Sequence, residues 1–511
     1  MEKSVPLGFR LPALLFPLLF FVPALPPFVD YPQHMALAGA LRRLGDPASF
    51  AHTLYEANLF TYNGLFDELA ALASSLVGVE VAGRVLIVVS LELFVLGTFA
   101  LFRRQRADAI SYLLIVPILP SFSLFWGFTN YLLGVGLGAI FVALLARTVG
   151  SRNRRAAPNL CVAVVALVMA HAHVLAAIVS LLMGGAWILD EALRDEKSGW
   201  KRLGRLTHGA VLAAPACVFC IAVHVRQFAT HSSTYSVSGE VGFDSIGLKI
   251  LWFGSRITGA LRSHHDAWLA WGAVAVAIVA SVAAIRNAER RRVGLPLFVM
   301  AAAYLAVPNV FVGTYLVYPR LALSVAALLL SVVPELSANM SRYFTGISAM
   351  LAVCTFFVTG AALVRFDAVA RDLQEVLRAL PAHAHVTAVH AVTTTDGYEL
   401  PVLQHVAAYH VATRDAHAAG LFGVYASLPL RFLRDDGGPR ASWLEGDGHL
   451  FSLDDPYAKR FPVRLVVLAN EHASLPLWAQ TNHRLIAVRG QFVALEEQQA
   501  ASETDAKHRI P

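Results

Sequence analysis

The stretch PPFVDYPQHMALAGAL, residues 26–41, overlaps the end of an apolar run at 11–28 that basic residues precede. A run of this kind can cross a bilayer, which takes about 20 apolar residues, although it also fits a signal peptide. Asp30 then stands at the membrane boundary, where a carboxylate is costly unless it is solvated or paired. Asp before a proline-containing first turn is also a common helix start. Asp30 is therefore either a helix cap or a general base or substrate anchor, and His34 shares its helical face.

The composition is that of a membrane protein. Of the 511 residues, 57% are hydrophobic and 15% are charged, and the mean hydropathy is +0.58. Soluble domains have about 45–50% apolar and about 25% charged residues, so a soluble enzyme, a disordered chain and a collagen-like fibre are excluded. Residues 365–511 carry a net charge of −3 and residues 1–364 carry +9. The basic excess lies in the loops of the membrane part, which indicates topology rather than nucleic-acid binding.

Apolar segments recur along the first two thirds of the chain. After the first run they lie at about 81–102, 109–126, 130–146, 209–225, 267–285, 294–312, 320–334 and 344–364. Most are long enough to span, or nearly span, a hydrocarbon core about 30 Å thick. The chain is therefore predicted to be a polytopic α-helical membrane protein.

The stretch 159–189 is predicted to be a short hairpin with His171 and His173 near its tip. Three loops are strongly basic and should stay in the cytoplasm: 103–106, 147–155 and 286–292. An even number of crossings must separate the last two, and two ordinary spans already lie between them. With the hairpin counted as two, this predicts about 11 crossings, a cytoplasmic N-terminus and an external C-terminus.

The long external segments are then 29–80 and 226–266, and segments of that length suggest function. Within the first, the amphipathic stretch 62–77 is predicted either to lie at the membrane interface or to pack on the bundle. The predicted domains are a transmembrane bundle at 1–364, an external α/β domain at 365–495 and a disordered tail at 496–511. Alternation of strand-like and helix-like segments supports the second of these.

Further polar residues are expected on the outer side. Asn130 opens a glycine-rich span, where close helix packing is an alternative to ligand contact. Two histidines at the hairpin tip fit an interface, a phosphate contact or an incomplete metal site. Tyr318 and Arg320 lie at the outer end of a span, and Arg320 either snorkels to lipid headgroups or binds an anionic phosphate.

With these residues gathered on one side of the membrane, the plan resembles the GT-C superfamily of polyprenyl-phosphate-sugar-dependent membrane glycosyltransferases. The segment PPFVDYPQHMALAGAL has Asp30 at the acidic position that follows the first span in that family. The segments GFTNYLLGVGLGAI and YPRLALSVAALLL are also similar to those of bacterial membrane proteins of this type. Many members have two adjacent acidic residues, whereas Tyr31 and Pro32 follow Asp30 here.

The resemblance implies transfer of a sugar from a polyprenyl-phosphate carrier to a glycan, lipid or protein acceptor at the outer face of a bacterial cytoplasmic membrane. Inversion at the anomeric carbon would follow from direct displacement. Asp30 would be the catalytic base. The carrier- or substrate-binding candidates are His34, Asn130, His171, His173, Tyr318 and Arg320. No cofactor and no metal site is predicted, although a divalent metal stays an alternative.

Two other classes remain open from the sequence. A lipid or polysaccharide transporter would move its cargo without bond chemistry, and it would more naturally carry ionisable residues at mid-membrane in repeated halves. A non-catalytic membrane assembly protein would use its external domain to recruit partners. A carrier lipid held beside Asp30 favours the enzyme.

Overall fold

Helices dominate the computed structural model, which describes residues 5–149, 156–195, 199–231, 241–284, 294–311, 315–419, 421, 428–432, 462–475 and 483–497. The α-helices are α1 Leu7–Leu15, α2 Tyr31–Arg43, α3 Phe50–Leu54, α4 Leu65–Val77, α5 Val79–Gln105, α6 Ser111–Leu114, α7 Phe122–Phe125, α8 Thr129–Val149, α9 Ala156–Ala172, α10 Val174–Asp195, α11 Gly199–His231, α12 Ile246–Leu251, α13 Phe253–Ile257, α14 His265–Ala284, α15 Leu295–Ala306, α16 Val317–Ser331, α17 Ala338–Ala379 and α18 Ala408–Thr413. The strands are β1 Tyr55–Ala57, β2 Val241–Gly242, β3 Val310–Phe311, β4 His385–His390, β5 His417–Ala418, β6 Leu430–Phe432, β7 Val463–Val467, β8 His483–Arg489 and β9 Phe492–Glu497.

Six helices of the described chain are long and apolar enough to cross a membrane: α5, α8, α10, α11, α14 and α17. Five shorter apolar segments accompany them: Leu7–Phe21, Ser111–Phe125, Ala156–Ala172, Leu295–Ala306 and Val317–Ser331. Together they overlap the predicted spans and hairpin, but the first run is α-helical only to Leu15 and continues as a 3-10 helix at Phe16–Phe21. The number of crossings, 11, stays a prediction, because the shorter segments do not reach spanning length by themselves.

The stretch 159–189 forms two helices, α9 and α10, that meet at His173. The side chains of His208 on α11 and Asn159 on α9 lie 3.2 Å apart, and the His171 ring lies 5.7 Å from that of Phe219. Since α11 thus runs parallel to α9, the chain must reverse its direction in α10. This agrees with the even number of crossings that the basic loops predict. The helices have 17 and 22 residues and so extend beyond the predicted hairpin at both ends.

The segment predicted as one span at 109–126 is broken. It consists of α6, a 3-10 turn at Val116–Ile118 and α7. Pro117 occupies the first turn of the 3-10 helix and Pro120 follows, and proline has no N–H for a continuing helix. The break brings α7 against the end of the first apolar run.

The amphipathic stretch 62–77 forms α4, which packs against α2 and α5. It buries Phe66 and Ala70, while Leu72 and Leu76 are 72% and 86% exposed. An apolar outer face on a helix that also packs on the bundle fits an interfacial helix. The two predicted roles of this stretch are therefore compatible.

The C-terminal region contains a five-stranded sheet in the order β5-β4-β7-β9-β8. Strand β4 is parallel to both β5 and β7, and β9 is antiparallel to β7 and β8. The helix α17 continues without a break through residue 364, where the domain boundary was predicted, and packs on β8 and β9. Of the predicted disordered tail at 496–511, Glu496 and Glu497 end β9, and 498–511 lie outside the described residues.

The same region contacts the first external segment at two places. Strand β1 pairs with β6 in antiparallel register. Helix α18 packs on α2, where a Cβ at Gly39 would collide with the backbone of Ala412. Glycine at this position therefore permits the close approach of the two helices.

Candidate active site at the C-terminal end of the first apolar segment

The backbone before α2 fixes the position of Asp30. The amide N–H groups of Val29 and Asp30 donate hydrogen bonds to the carbonyl oxygens of Phe125 and Trp126, at 3.0 and 2.9 Å. Gly127 has a φ of +86°, and a Cβ there would lie 2.6 Å from the Asp30 amide nitrogen. A residue with a side chain would both strain this turn and push it away from Asp30.

The Asp30 carboxylate does not cap α2. Asp30 occupies the N-cap position, but its side chain makes no capping hydrogen bond. The ring of His405 lies next to it, with Nε2 3.6 Å from Oδ1 of Asp30. The side chain of Asp30 is 14% exposed. Since the cap interpretation fails, the carboxylate is available for another role.

Gln33 orients the His405 ring. The amide nitrogen of Gln33 lies 3.2 Å from Nδ1 of His405. When this amide donates, Nδ1 accepts and the ring hydrogen is on Nε2. That hydrogen then faces the Asp30 carboxylate.

His34 and Asn130 meet at a shared carboxylate, Asp67. His34 Nδ1 lies 2.9 Å from Oδ1 of Asp67, and the Asn130 amide donates to Oδ2 at 3.0 Å. The side-chain amide oxygen of Asn130 in turn accepts from the Phe66 N–H at 2.8 Å. The cluster joins α2, α4 and α8, and its side chains are buried.

The charge of this cluster favours a protonated histidine. Burial lowers the pKa of His34, but the charge and hydrogen bond of Asp67 and the charge of Asp30 raise it, and the net pKa lies above its usual value. The pKa of the Asp67 carboxyl is raised as well, chiefly by burial, so the pair keeps a proton to a higher pH than the free side chains would. The charge of Asp30 thus acts on the His34 ring, and the backbone N–H of His34 donates to the Asp30 carbonyl oxygen at 3.2 Å.

His171 contacts the acidic residue beside Asp67. Its Nε2 lies 2.8 Å from Oε2 of Glu68, and its Nδ1 lies 2.6 Å from the carbonyl oxygen of Thr61. Both partners are acceptors, so the geometry suits a ring with a hydrogen on each nitrogen. His171 therefore ties the hairpin to the first external segment rather than pointing toward Asp30.

Arg320 is the cationic residue of this part of the site, and His173 lies beside it. Arg320 Nη1 lies 3.4 Å from Nε2 of His173, and the guanidinium carbon lies 3.7 Å from the centre of the Phe128 ring. The Leu175 N–H donates to Nδ1 of His173 at 3.1 Å, and Nη2 of Arg320 donates to the Tyr315 carbonyl oxygen at 3.2 Å. These contacts hold the imidazole and the guanidinium side by side, where the arginine charge suits an anionic oxygen.

Tyr318 belongs to a neighbouring cluster. Its hydroxyl donates to Oδ2 of Asp244 at 2.7 Å, and Nζ of Lys249 lies 4.6 Å from its ring centre. Lys249 itself donates to the carbonyl oxygens of Leu305 and Val307, at 2.8 and 2.6 Å. Tyr318 therefore anchors the second long external segment to α15 and α16, and its hydroxyl is already engaged.

The sequence did not point to four residues of the candidate site: Gln33, Asp67, Glu68 and His405. Asp67 and Glu68 could have been recognised in the sequence, because they are adjacent acids in the stretch 62–77, whose other turns are apolar. His405 has no such signal, since it is one of ten histidines after residue 364 and no metal spacing distinguishes it. Within the described ranges, no three His, Cys, Asp or Glu side chains are grouped as metal ligands would be.

The fold matches a solved structure over nearly its whole length. It is similar to the crystal structure of ArnT from Cupriavidus metallidurans in the apo state, with a TM-score of 0.54. The match covers 96% of this chain and 97% of that chain, at 14% sequence identity. No protein-family model matches the sequence, and no curated protein matches it. The chain thus has the GT-C-like fold that its sequence resemblance predicted.

Proposed function

We propose that this protein is a membrane glycosyltransferase that moves a sugar from a polyprenyl-phosphate carrier to an acceptor outside the bacterial cytoplasmic membrane. The observation that carries the proposal is the Asp30 carboxylate, which ends the first apolar segment, caps no helix and faces His405. The fold similarity to ArnT supports the same reaction class. The acceptor is a hydroxyl of a glycan, a lipid or a protein.

Asp30 would act as the general base. Its carboxylate accepts the hydroxyl proton of the acceptor as that oxygen attacks the anomeric carbon, and the carrier phosphate leaves from the opposite face. Direct displacement of this kind inverts the anomeric centre. A positioned base accelerates such a step by about 10²–10⁴-fold. His405 would orient the carboxylate through its Nε2 hydrogen.

Arg320 and His173 would bind the carrier phosphate. The leaving phosphate gains negative charge as the bond to the sugar breaks, and donors placed at that charge stabilise the transition state. A guanidinium offers a planar fork that fits two phosphate oxygens. The position of the guanidinium beside His173 supports the assignment, because its charge and planar N–H groups suit a phosphate oxygen.

His34 and Asn130 would support the site rather than contact the donor. Both are hydrogen-bonded to Asp67. In this arrangement they hold α2, and with it Asp30, at a fixed place relative to α4 and α8. His171 and Tyr318 anchor the two long external segments around the same site.

Lipids that copurify with the protein test the proposal. The protein is purified in a mild detergent, and bound lipids are identified by mass spectrometry. We expect a polyprenyl phosphate to copurify, and added undecaprenyl phosphate should bind in native mass spectrometry. If only bulk phospholipid copurifies and undecaprenyl phosphate does not bind, the result would contradict the proposed enzyme and favour an assembly protein.

The variant Arg320→Lys makes the test specific, since it keeps the charge but loses the fork. We expect undecaprenyl phosphate to bind about 10- to 100-fold more weakly, as for a lost hydrogen bond to a charged group. The control is Arg262→Lys, an exposed arginine whose guanidinium contacts Thr394 at 3.4 Å. Equal binding by Arg320→Lys and the parent would leave Arg320 with a snorkelling role only.

Transport of the lipid between leaflets without loss of sugar would favour the transporter.

A further inference from the structure

An acidic residue, half-buried, lies at the middle of a long apolar helix, on the face whose neighbouring side chains are exposed. Glu92 is the central residue of α5, Val79–Gln105, and is about 20 Å from either end of it. That depth is the centre of a hydrocarbon core about 30 Å thick. A glutamate side chain is far too short to reach water from there.

The exposed residues of α5 place Glu92 on the outward stripe. Val85, Val89 and Leu96 are 40%, 39% and 50% exposed. Glu92 lies three residues after Val89 and four residues before Leu96. Side chains at these spacings share one helix face. No hydrogen bond or ion pair to Glu92 occurs among the described residues. Intramembrane acids almost always face a bundle interior, a wet cavity or a partner.

We propose that this stripe is the contact surface for a second copy of the chain, in which two α5 helices pack in parallel and the two Glu92 side chains pair. Copies inserted in one membrane have the same orientation, so a two-fold axis along the membrane normal brings identical residues to the same depth. A protonated carboxyl both donates and accepts. Two protonated Glu92 carboxyls can therefore form hydrogen bonds with each other, and the pair requires no polar residue from another helix.

The spacing along the stripe fits such a pair. The steps from Val85 to Val89, Glu92 and Leu96 are four, three and four residues, which is the alternation of the seam in a left-handed helix pair. Apolar side chains on either side of Glu92 would close the contact against lipid. A polar group in such a seam strengthens association because the alternative is an unsatisfied group in hydrocarbon.

Cysteine cross-linking in native membranes tests the proposal. In a full-length protein whose four native cysteines are replaced by alanine, Val89→Cys or Leu96→Cys is oxidised with a lipid-soluble catalyst. We expect a disulfide-linked dimer from both. The control is Val353→Cys, a 52% exposed position of α17, which should give little dimer. Equal cross-linking at Val353 and at the α5 positions would overturn the assigned surface.

Substitution of Glu92 itself tests the carboxyl pair. Glu92→Gln keeps a donor and an acceptor and should dimerise as the parent does. Glu92→Leu removes both and should weaken the dimer by about 3- to 30-fold, with its thermal stability as a monomer as the check on folding. Undiminished dimer formation by a folded Glu92→Leu protein would sink the proposal, as would Glu92-dependent cross-linking to a different protein only.

Discussion

Nε2 of His405 lies 3.6 Å from Oδ1 of Asp30. The two residues come from opposite parts of the chain, one from the C-terminal region and one from the turn after the first apolar segment. The contact is possible because α18, which follows His405 closely, packs on α2, which follows Asp30. The C-terminal region thereby contributes a side chain to the candidate active site.

Asp30→Asn is expected to lower turnover by about 10²–10⁴-fold while leaving stability nearly unchanged. The amide has the size of the carboxylate but cannot take the acceptor proton, and the carboxylate forms no capping bond that would be lost. Release of polyprenyl phosphate from a sugar-loaded carrier and thermal unfolding in detergent measure the two effects. Asp46→Asn, an exposed acid of the same external segment, is the control. Near-parental turnover of Asp30→Asn would remove Asp30 from the mechanism.

His405→Gln should reduce turnover by at most about tenfold, because its contact with Asp30 is longer than a hydrogen bond to a charged group. The distance of 3.6 Å is long, so the contribution should be modest. We expect the loss in kcat rather than in KM, because His405 would orient the base and not bind the carrier. His472→Gln, an exposed histidine paired with Glu471, should have no effect. An unchanged kcat in His405→Gln would limit His405 to packing.

The His34–Asp67 pair should make stability depend on pH. The folded pKa of His34 is raised, so its contribution is fully present below the unfolded value of about 6.5 and is lost as pH rises through the folded pKa. The difference in Tm between the parent and His34→Gln should therefore be larger at about pH 6 than at about pH 9. Thermal unfolding in detergent measures it. A difference that grows with pH would contradict the assigned pair.

Gly39→Ala should loosen the C-terminal region from the first external segment. The added Cβ collides with the backbone of Ala412, and overpacking of this kind costs about 1–3 kcal/mol. Gly45→Ala meets no atom within 4 Å and should behave as the parent. Limited proteolysis of the C-terminal region reports the difference. Equal resistance in both variants would show that the α2–α18 contact tolerates the methyl group.

Much of the membrane part followed from the sequence. Apolar segments, basic loops and an even number of crossings predicted the spans and resolved 159–189 into two helices, because hydropathy and loop charge are local properties of the chain. The break within 109–126 was missed. Its prolines were visible, but the run was apolar throughout, and the length of an apolar run does not reveal whether its backbone is continuous.

The sequence by itself determined that Asp30 stands at the end of an apolar segment, and it predicted that His34, Asn130, His173 and Arg320 lie toward one side of the membrane. Only the tertiary structure decided their partners. Asp67 joins His34 to Asn130, and His405 reaches Asp30 from a region whose histidines looked alike in sequence. The physical reason is that depth in the membrane follows from local hydropathy, whereas a hydrogen bond depends on which helices pack together, and that is set by long-range contacts such as α2 on α18.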